Sequence, residues 1–191
     1  ELLNSRLTGS FEWFTSTTSD LLYNINTAYA TGTPSLWTNY GKMRNSGIEF
    51  NILWRDMAGE FTYSVGANIS TVRNKVLRLG TTDLYDAGSS RTEVGRSISD
   101  FFLIPMDGIF QSKDEVYAHT TTLKNGNVVV VQPTAEAGDI RYVDTNGDGQ
   151  ITQDDRVYAG SPLPKFEAGL TASLEWRGID LSMFWTSRYG N

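Results

Sequence analysis

The 191-residue chain has no cysteine, so disulfides, thiolate nucleophiles and Cys-ligated zinc are excluded. It has one histidine, His119, so a His-rich metal site is impossible and a Ser-His-Asp triad would hang on that residue alone. His119 sits in a Thr-rich stretch without a base-orienting partner and reads as surface. Positive charge is also scarce: 16 Lys and Arg stand against 22 Asp and Glu, for a net charge of −6. A nucleic-acid protein would need a basic face to neutralise phosphates, so no nucleic-acid partner is expected. Apolar residues make up 39% of the chain and mean hydropathy is −0.32, and no run approaches a transmembrane helix. A transmembrane β-strand alternates lipid-facing and lumen-facing residues, so modest hydropathy leaves that location open. Aromatics, at 12%, keep it open too. Neither end resembles a natural terminus, and the expectation is a piece of a longer chain.

What the chain does have is period-2 alternation, five times over. In 7–13, Leu7, Phe11 and Trp13 oppose Thr8, Ser10 and Glu12. In 47–56, Ile48, Phe50, Ile52 and Trp54 oppose Glu49, Asn51 and Arg55, with Leu53 out of phase. In 60–70, Phe61, Tyr63, Val65, Ala67 and Ile69 alternate with small polar residues and Gly66. In 166–176, Phe166, Ala168, Leu170, Ala172, Leu174 and Trp176 oppose Glu167, Gly169, Thr171, Ser173 and Glu175. From 179, Ile179, Leu181, Met183 and Trp185 oppose Asp180, Ser182 and Thr186, with Phe184 out of phase.

Four of these segments run about 10 residues, roughly twice the globular strand mode and close to the 9–11 that cross a bilayer. Aromatics gather near their ends, as interfacial girdles require. Short connections at Met57-Ala58-Gly59 and Arg177-Gly178 alternate with long ones at 16–46 and 71–165, so short turns fall on one side and long loops on the other. The fold expected is all-β: a partial transmembrane antiparallel β-barrel of about five long strands with long extracellular loops, inserted in a lipid bilayer. Within 71–165, Leu123 to Val131 carries an Asn-Gly hairpin signal, and Lys113 to Val116 suits one helical turn. The rival is a secreted, calcium-stabilised β-sandwich that binds carbohydrate, its apolar faces meeting inside.

The sharpest chemical motif is 144–155, which fits the twelve-position calcium loop. Asp144, Asn146 and Asp148 hold positions 1, 3 and 5, Gly149 position 6 and Ile151 position 8. Gln150 would contribute its carbonyl, Thr152 would act directly or through water, and Asp155 would close the ring. Ca²⁺ wants about 6–8 oxygens, which this spacing wraps around one ion. The alternative is an Asx-rich turn. Glu12, Glu49, Arg55, Glu167, Glu175 and Asp180 lie on polar strand faces, where they either set the field on a solute path or pair with one another. Loop aromatics Trp37, Tyr40, Tyr85 and Tyr117 suit sugar stacking or loop packing. No catalytic or cofactor-binding residue stands out, and no enzyme activity is expected.

Several segments resemble the C-terminal barrel half of the SusC/RagA family of TonB-dependent outer-membrane transporters. They are Asn39 through Glu49, Asn74-Lys75-Val76, Val94 through Ile98, Gly108 through Ser112, Gly138 through Gly149, Asp155-Arg156 and Gly160 through Phe166. The resemblance covers nearly all of 1–191, with Phe101 to Pro105 and Ala118 to Ala137 departing from it. It implies energised import of glycans or oligopeptides across the bacterial outer membrane, with a SusD-like surface lipoprotein as lid. It implies coupling to TonB through parts of the protein that have no counterpart here.

Overall fold

The computed structural model describes residues 2–26, 35–80 and 83–190, with side chains omitted at 23–26, 35–38 and 40. Among the described residues it is all-β and antiparallel, apart from one short helix and a 3₁₀ turn. The chain divides into two compact bodies, the first comprising 1–85, 92–99 and 161–191 and the second 86–91 and 100–160.

The first body is a five-stranded sheet that unites all five alternating segments. Its strands are β1 (Leu7–Asn26), β2 (Ser35–Ala58), β3 (Phe61–Leu79), β12 (Phe166–Trp176) and β13 (Ile179–Tyr189), in the order β1-β2-β3-β12-β13. Both short turns are two-residue hairpin connections. Gly59 (φ +65) takes the first central position between Ala58 and Phe61, where a II′ turn wants Gly. Arg177 and Gly178 both have positive φ (+50 and +81), the sign pattern of a I′ turn. Both turns match the right-handed twist of the strands they join.

The first three strands run 20, 24 and 19 residues, far beyond their apolar alternation. Residues 16–46 are therefore not a long loop: β1 and β2 stay paired out to Asn26 and Ser35. That extension mixes Ser, Thr and Asn with Leu21, Leu22, Ile25, Leu36 and Met43, which follow no sustained period-2 alternation, so its backbone ladder has no regular apolar pattern to announce it. The chain between, 27–34, lies outside the described residues. Trp37 and Tyr40 fall on the β2 extension, with side chains that are likewise outside the description.

Where β3 outruns β12 its edge is covered by 94–98, the family-like segment. The Val76 N–H donates to the Arg96 carbonyl and the Gly95 N–H to the Val76 carbonyl, each at 2.8 Å. Asn74 locks the junction: its Oδ1 accepts from the Ile98 N–H (2.8 Å) and its Nδ2 donates to Asn45 Oδ1 (2.6 Å).

The second body holds short strands. Strands β4 (Leu84–Ala87) and β5 (Ser90–Glu93) each contribute residues to both bodies. Strand β6 (Asp100–Leu103) pairs with β11 (Val157–Gly160) and with Ser90 and Arg91 of β5. Strand β7 (Met106–Ile109) pairs with β10 (Ile140–Tyr142), so two family-like segments meet, pinned by Arg141 to Asp107 at 2.6 Å. The hairpin β8 (Thr120–Thr122) and β9 (Val128–Val130) forms around Asn125-Gly126, with Gly126 at φ +86. Helix α1 (Lys113–Ala118) starts on Ser112, whose hydroxyl accepts from the Glu115 N–H.

Its small core is Phe110, Val116 and Ala135, with Val131 also buried. The stretch 118–137, which departs from the family pattern, thus supplies Val131 and Ala135 to this core. His119 is not simply surface: its ring packs on Phe110 with centroids 5.6 Å apart, and its Nδ1 is buried. Phe102 is clasped by Arg91, 3.6 Å above its ring, and Tyr158, 5.1 Å away between centroids.

Candidate functional site

Directly opposed residues of paired strands point to the same face, so register decides what each face of the five-stranded sheet carries. One rung reads Gly9–Ile52–Ala67–Leu170–Trp185 and the next Leu7–Trp54–Val65–Ala172–Met183. Another reads Phe11–Phe50–Ile69–Ala168–Ser187. The apolar sets of all five strands thus fall on one face. That face is uncovered: Trp13 is 67% exposed, Leu170 42% and Ile179 65%. A β-sandwich would bury it against a second sheet, so the sandwich alternative does not describe this sheet.

Aromatics bracket the face. The upper rung carries Trp13, Ile48 and Thr71, and register continues it through the stacked pair Phe166–Tyr189 (centroids 5.5 Å apart). The lower rung is Ala58–Phe61–Trp176–Ile179, with Trp54 and Tyr63 close above. The ten residue steps from Phe166 to Trp176 span ~33 Å along the strand.

The other face is polar. Its rungs include Ser10–Asn51–Asn68–Gly169–Thr186 and Glu12–Glu49–Ser70–Glu167–Arg188. Glu167 pairs with Arg188 at 2.7 Å, while Glu12 and Glu49 oppose each other directly, as do Glu175 and Asp180. Glu167 thus finds its partner in Arg188, outside the set of charges expected to pair with one another, and the other acids of that set meet acids. A groove of about 590 Å³ runs along this face past Glu49, Asn68, Glu167 and Arg188. The two out-of-phase residues, Leu53 and Phe184, share one rung, Thr8–Leu53–Gly66–Thr171–Phe184. Sequence reasoning missed a further cluster. Arg44 opposes Lys75, and Arg73 lies one rung nearer the aromatic row, all exposed. The alternation Lys42, Arg44 and Arg73, Lys75 was its only signal.

The 144–155 loop adopts a tight wheel of hydrogen bonds. Asp144 Oδ1 accepts from the N–H groups of Gly147 (2.7 Å) and Asp148 (3.2 Å), and its Oδ2 from Gly149 (2.9 Å). Gly149, at position 6, has φ +84, the left-handed turn that glycine allows there. Asn146 Nδ2 donates to Asp148 Oδ2 at 3.1 Å, which brings two of the expected ligands together. Asp155 is fully buried: its Oδ1 accepts from Thr145 N–H (2.9 Å) and its Oδ2 from Thr152 N–H (2.8 Å). Thr152 N-caps the 3₁₀ turn Gln153–Asp155 in a capping box with Asp155. Burial pushes the Asp155 carboxyl up, but the Thr152, Thr145 and Asn146 N–H groups outweigh it and hold the group below its usual value. Among the described residues no three acidic or imidazole side chains converge as a metal cluster. The set is chemically suited to a hard cation, though Asp155 faces backbone donors.

No family model matches the chain. Among curated proteins, it is 30% identical to TonB-dependent receptor P26 of Formosa agariphila, over 100% of this chain and 19% of that protein. It is 25% identical to TonB-dependent receptor SusC of Bacteroides thetaiotaomicron, over 94% of this chain and 17% of that protein. Among solved structures, a chain of the RagAB peptide importer in the closed-closed state superposes with a TM-score of 0.71 at 20% identity, covering 98% of this chain and 20% of that one. The chain thus spans about a fifth of the length of the relatives it matches. Matched along its whole length to that one stretch, the chain is a SusC/RagA-like segment of a TonB-dependent receptor, a protein of the bacterial outer membrane.

Proposed function

We propose that this segment is part of the wall of a transmembrane β-barrel that imports nutrients, oligopeptides or glycans, across the outer membrane. The observation that carries the reading is the uncovered apolar face bracketed by aromatic rungs. Strands of a barrel tilt about 35–45°, so ~33 Å along the strand becomes a band ~25 Å tall, the height of the lipid-facing band of such barrels. The polar face then lines the lumen, and its acids give the solute path a negative field. Five strands expose edges, so the segment works only within the complete barrel. The remaining strands, the plug and the TonB-coupling parts belong to the rest of the receptor, and a SusD-like lipoprotein closes the barrel from outside.

The test uses the complete receptor, isolated from outer membranes under mild detergent. A surface lipoprotein should co-purify with it. Proteoliposomes carrying the pair should bind a defined oligopeptide or oligosaccharide pool. Recovery of the receptor alone, with no retention of either pool, would refute the importer reading.

We also propose that the 144–155 loop binds Ca²⁺ through Asp144, Asn146, Asp148, Asp155, the Gln150 carbonyl and Thr152, in a structural role. The Gly149 turn at position 6 and the juxtaposed Asn146 and Asp148 support it. A cation would draw the Asp144, Asp148 and Asp155 carboxylates together around one centre and offset the repulsion between them. Stabilisation would reach about 2.7 kcal/mol at free calcium 100 times the dissociation constant. Calcium should raise hydrogen-exchange protection across 140–160, and Asp148→Ala should abolish the rise. Equal protection with calcium and with chelator would leave an Asx-rich turn.

A further inference from the structure

Above the upper aromatic rung the outward face of the sheet changes from apolar to cationic. Arg73 lies two residues past Thr71 on β3, and Lys75 lies four past it, directly opposite Arg44 of β2. All three continue the face that carries Ile48, Phe50 and Ile69, because pairing stays in register from Trp54 up to Met43. Their neighbours on β1 are Thr15 and Thr17, so no acid shares these rungs. Lys42 opposes Arg78 beyond the β2–β3 irregularity and extends the same stripe. Of the strand acids nearest the girdle at this end, Glu12, Glu49 and Glu167 sit on the opposite face, Asp20 lies in the β1 irregularity past Thr18, and Glu93 precedes the 94–98 segment. The inner side of the stripe is closed off by Asn45, Asn74 and the 94–98 segment.

We propose that Arg44, Arg73 and Lys75 form a seat for the phosphate of an outer-leaflet lipid headgroup. The inference rests on the membrane-spanning reading of the sheet. Two and four residue steps, at the tilt of a barrel strand, place these cations ~5 and ~10 Å beyond the aromatic girdle. The headgroup layer extends about 5–8 Å beyond the hydrocarbon on each side, so Arg73 is rooted within it, while Arg44 and Lys75 are rooted just above it and their long side chains reach back down to the level of the lipid phosphates. Arg44 and Arg73 supply planar forks suited to phosphate oxygens, and Lys75 adds a point charge. Continuity with the apolar face identifies the occupant, because a lipid whose acyl chains cover Ile48, Phe50 and Ile69 carries its phosphate to this height. The seat would hold a phosphorylated lipid at a fixed azimuth of the barrel.

The experiment takes the complete receptor into nanodiscs containing either diphosphoryl lipid A or its dephosphorylated form, and counts retained lipid by native mass spectrometry after delipidation. The wild type should retain the phosphorylated form preferentially, and this preference should fall as salt rises. Replacing Arg44, Arg73 and Lys75 by Ser should lower it about fivefold per side chain removed, the equivalent of about 1 kcal/mol each at an anionic surface. Absence of any preference in the wild type would overturn the proposal, as would its persistence in the triple variant. Retention of inorganic phosphate by lipid-free receptor, displaced by neither lipid, would also overturn it, since the cluster would then be a soluble-anion site. If the triple variant does not assemble, Lys75→Gln with the wild-type salt dependence decides the matter. A receptor that enters no bilayer would instead refute the membrane-spanning reading on which the seat depends.

Discussion

Leu170→Arg should be among the most damaging single changes in the β12 wall, while Ser173→Arg, three residues along, should be tolerated. Leu170 lies four residue steps from the upper aromatic rung and six from the lower, on the rung Gly9–Ile52–Ala67–Leu170–Trp185. At barrel tilt that is ~10 Å below the upper girdle of a ~25 Å band, close to the midplane. A lipid-facing arginine there should cost roughly 2–4 kcal/mol. Ser173 lies on the other face, among Arg55, Ser64 and Ser182, where an arginine stays in water. Ser173 is the better control than Thr171, whose Oγ1 would lie 2.7 Å from a Cβ added at Gly66 and so leaves little room. Ile179→Arg, on the lower girdle rung, should cost only about 0–1 kcal/mol, because an interfacial arginine keeps its hydration. The assay is equilibrium folding of the complete barrel into liposomes against urea, read by electrophoretic mobility without boiling. A flat cost across Leu170, Ile179 and Ser173, or a Ser173 penalty equal to that of Leu170, would refute the assignment of faces.

Gly47→Ala should weaken the β2–β3 pairing by about 1–3 kcal/mol, since the added Cβ would be driven into the Thr71 carbonyl and the Phe14 ring; unchanged folding of the barrel would contradict it. Gly149→Ala should open the 144–155 loop to protease, because Gly149 sits at φ +84 and a Cβ there would meet Val129 Cγ2 at 2.6 Å. Glu49→Gln should stabilise the barrel by a few tenths of a kcal/mol to about 1 kcal/mol by relieving the direct opposition to Glu12, measurable in the same urea titration. The lowered pKa of Asp155 contributes stability that is present above the carboxyl's ordinary value of 3.8 and is lost as pH falls through the folded value. Pepsin cleavage within 144–155 should therefore rise as pH drops below 3.8, and the pH dependence should flatten in Asp155→Asn.

Local chemistry decided much of this chain before any long-range contact. Alternation marked all five strands because a half-buried or lipid-facing strand must present every second residue to the apolar side. Arg177-Gly178 and Asn125-Gly126 each announced a turn through backbone demands that few residues meet. The oxygen spacing of 144–155 was equally legible, although hydrogen bonding within the loop commits Asp155 to backbone donors, a competition that spacing cannot display. Register was the property that only tertiary structure could decide. It converted the β1–β2 connection into a ladder in which Leu21, Leu22, Ile25, Leu36 and Met43 interrupt polar residues without a sustained alternation, so its pairing is imposed by the neighbouring strand. It placed Leu53 and Phe184, two lapses in alternation, on a single rung with Thr171 between Gly66 and Phe184. It also set Arg44 opposite Lys75 above the aromatic row. Side-chain direction is a local consequence of the pleat, whereas the identity of the neighbour across the sheet depends on where distant strands begin to pair.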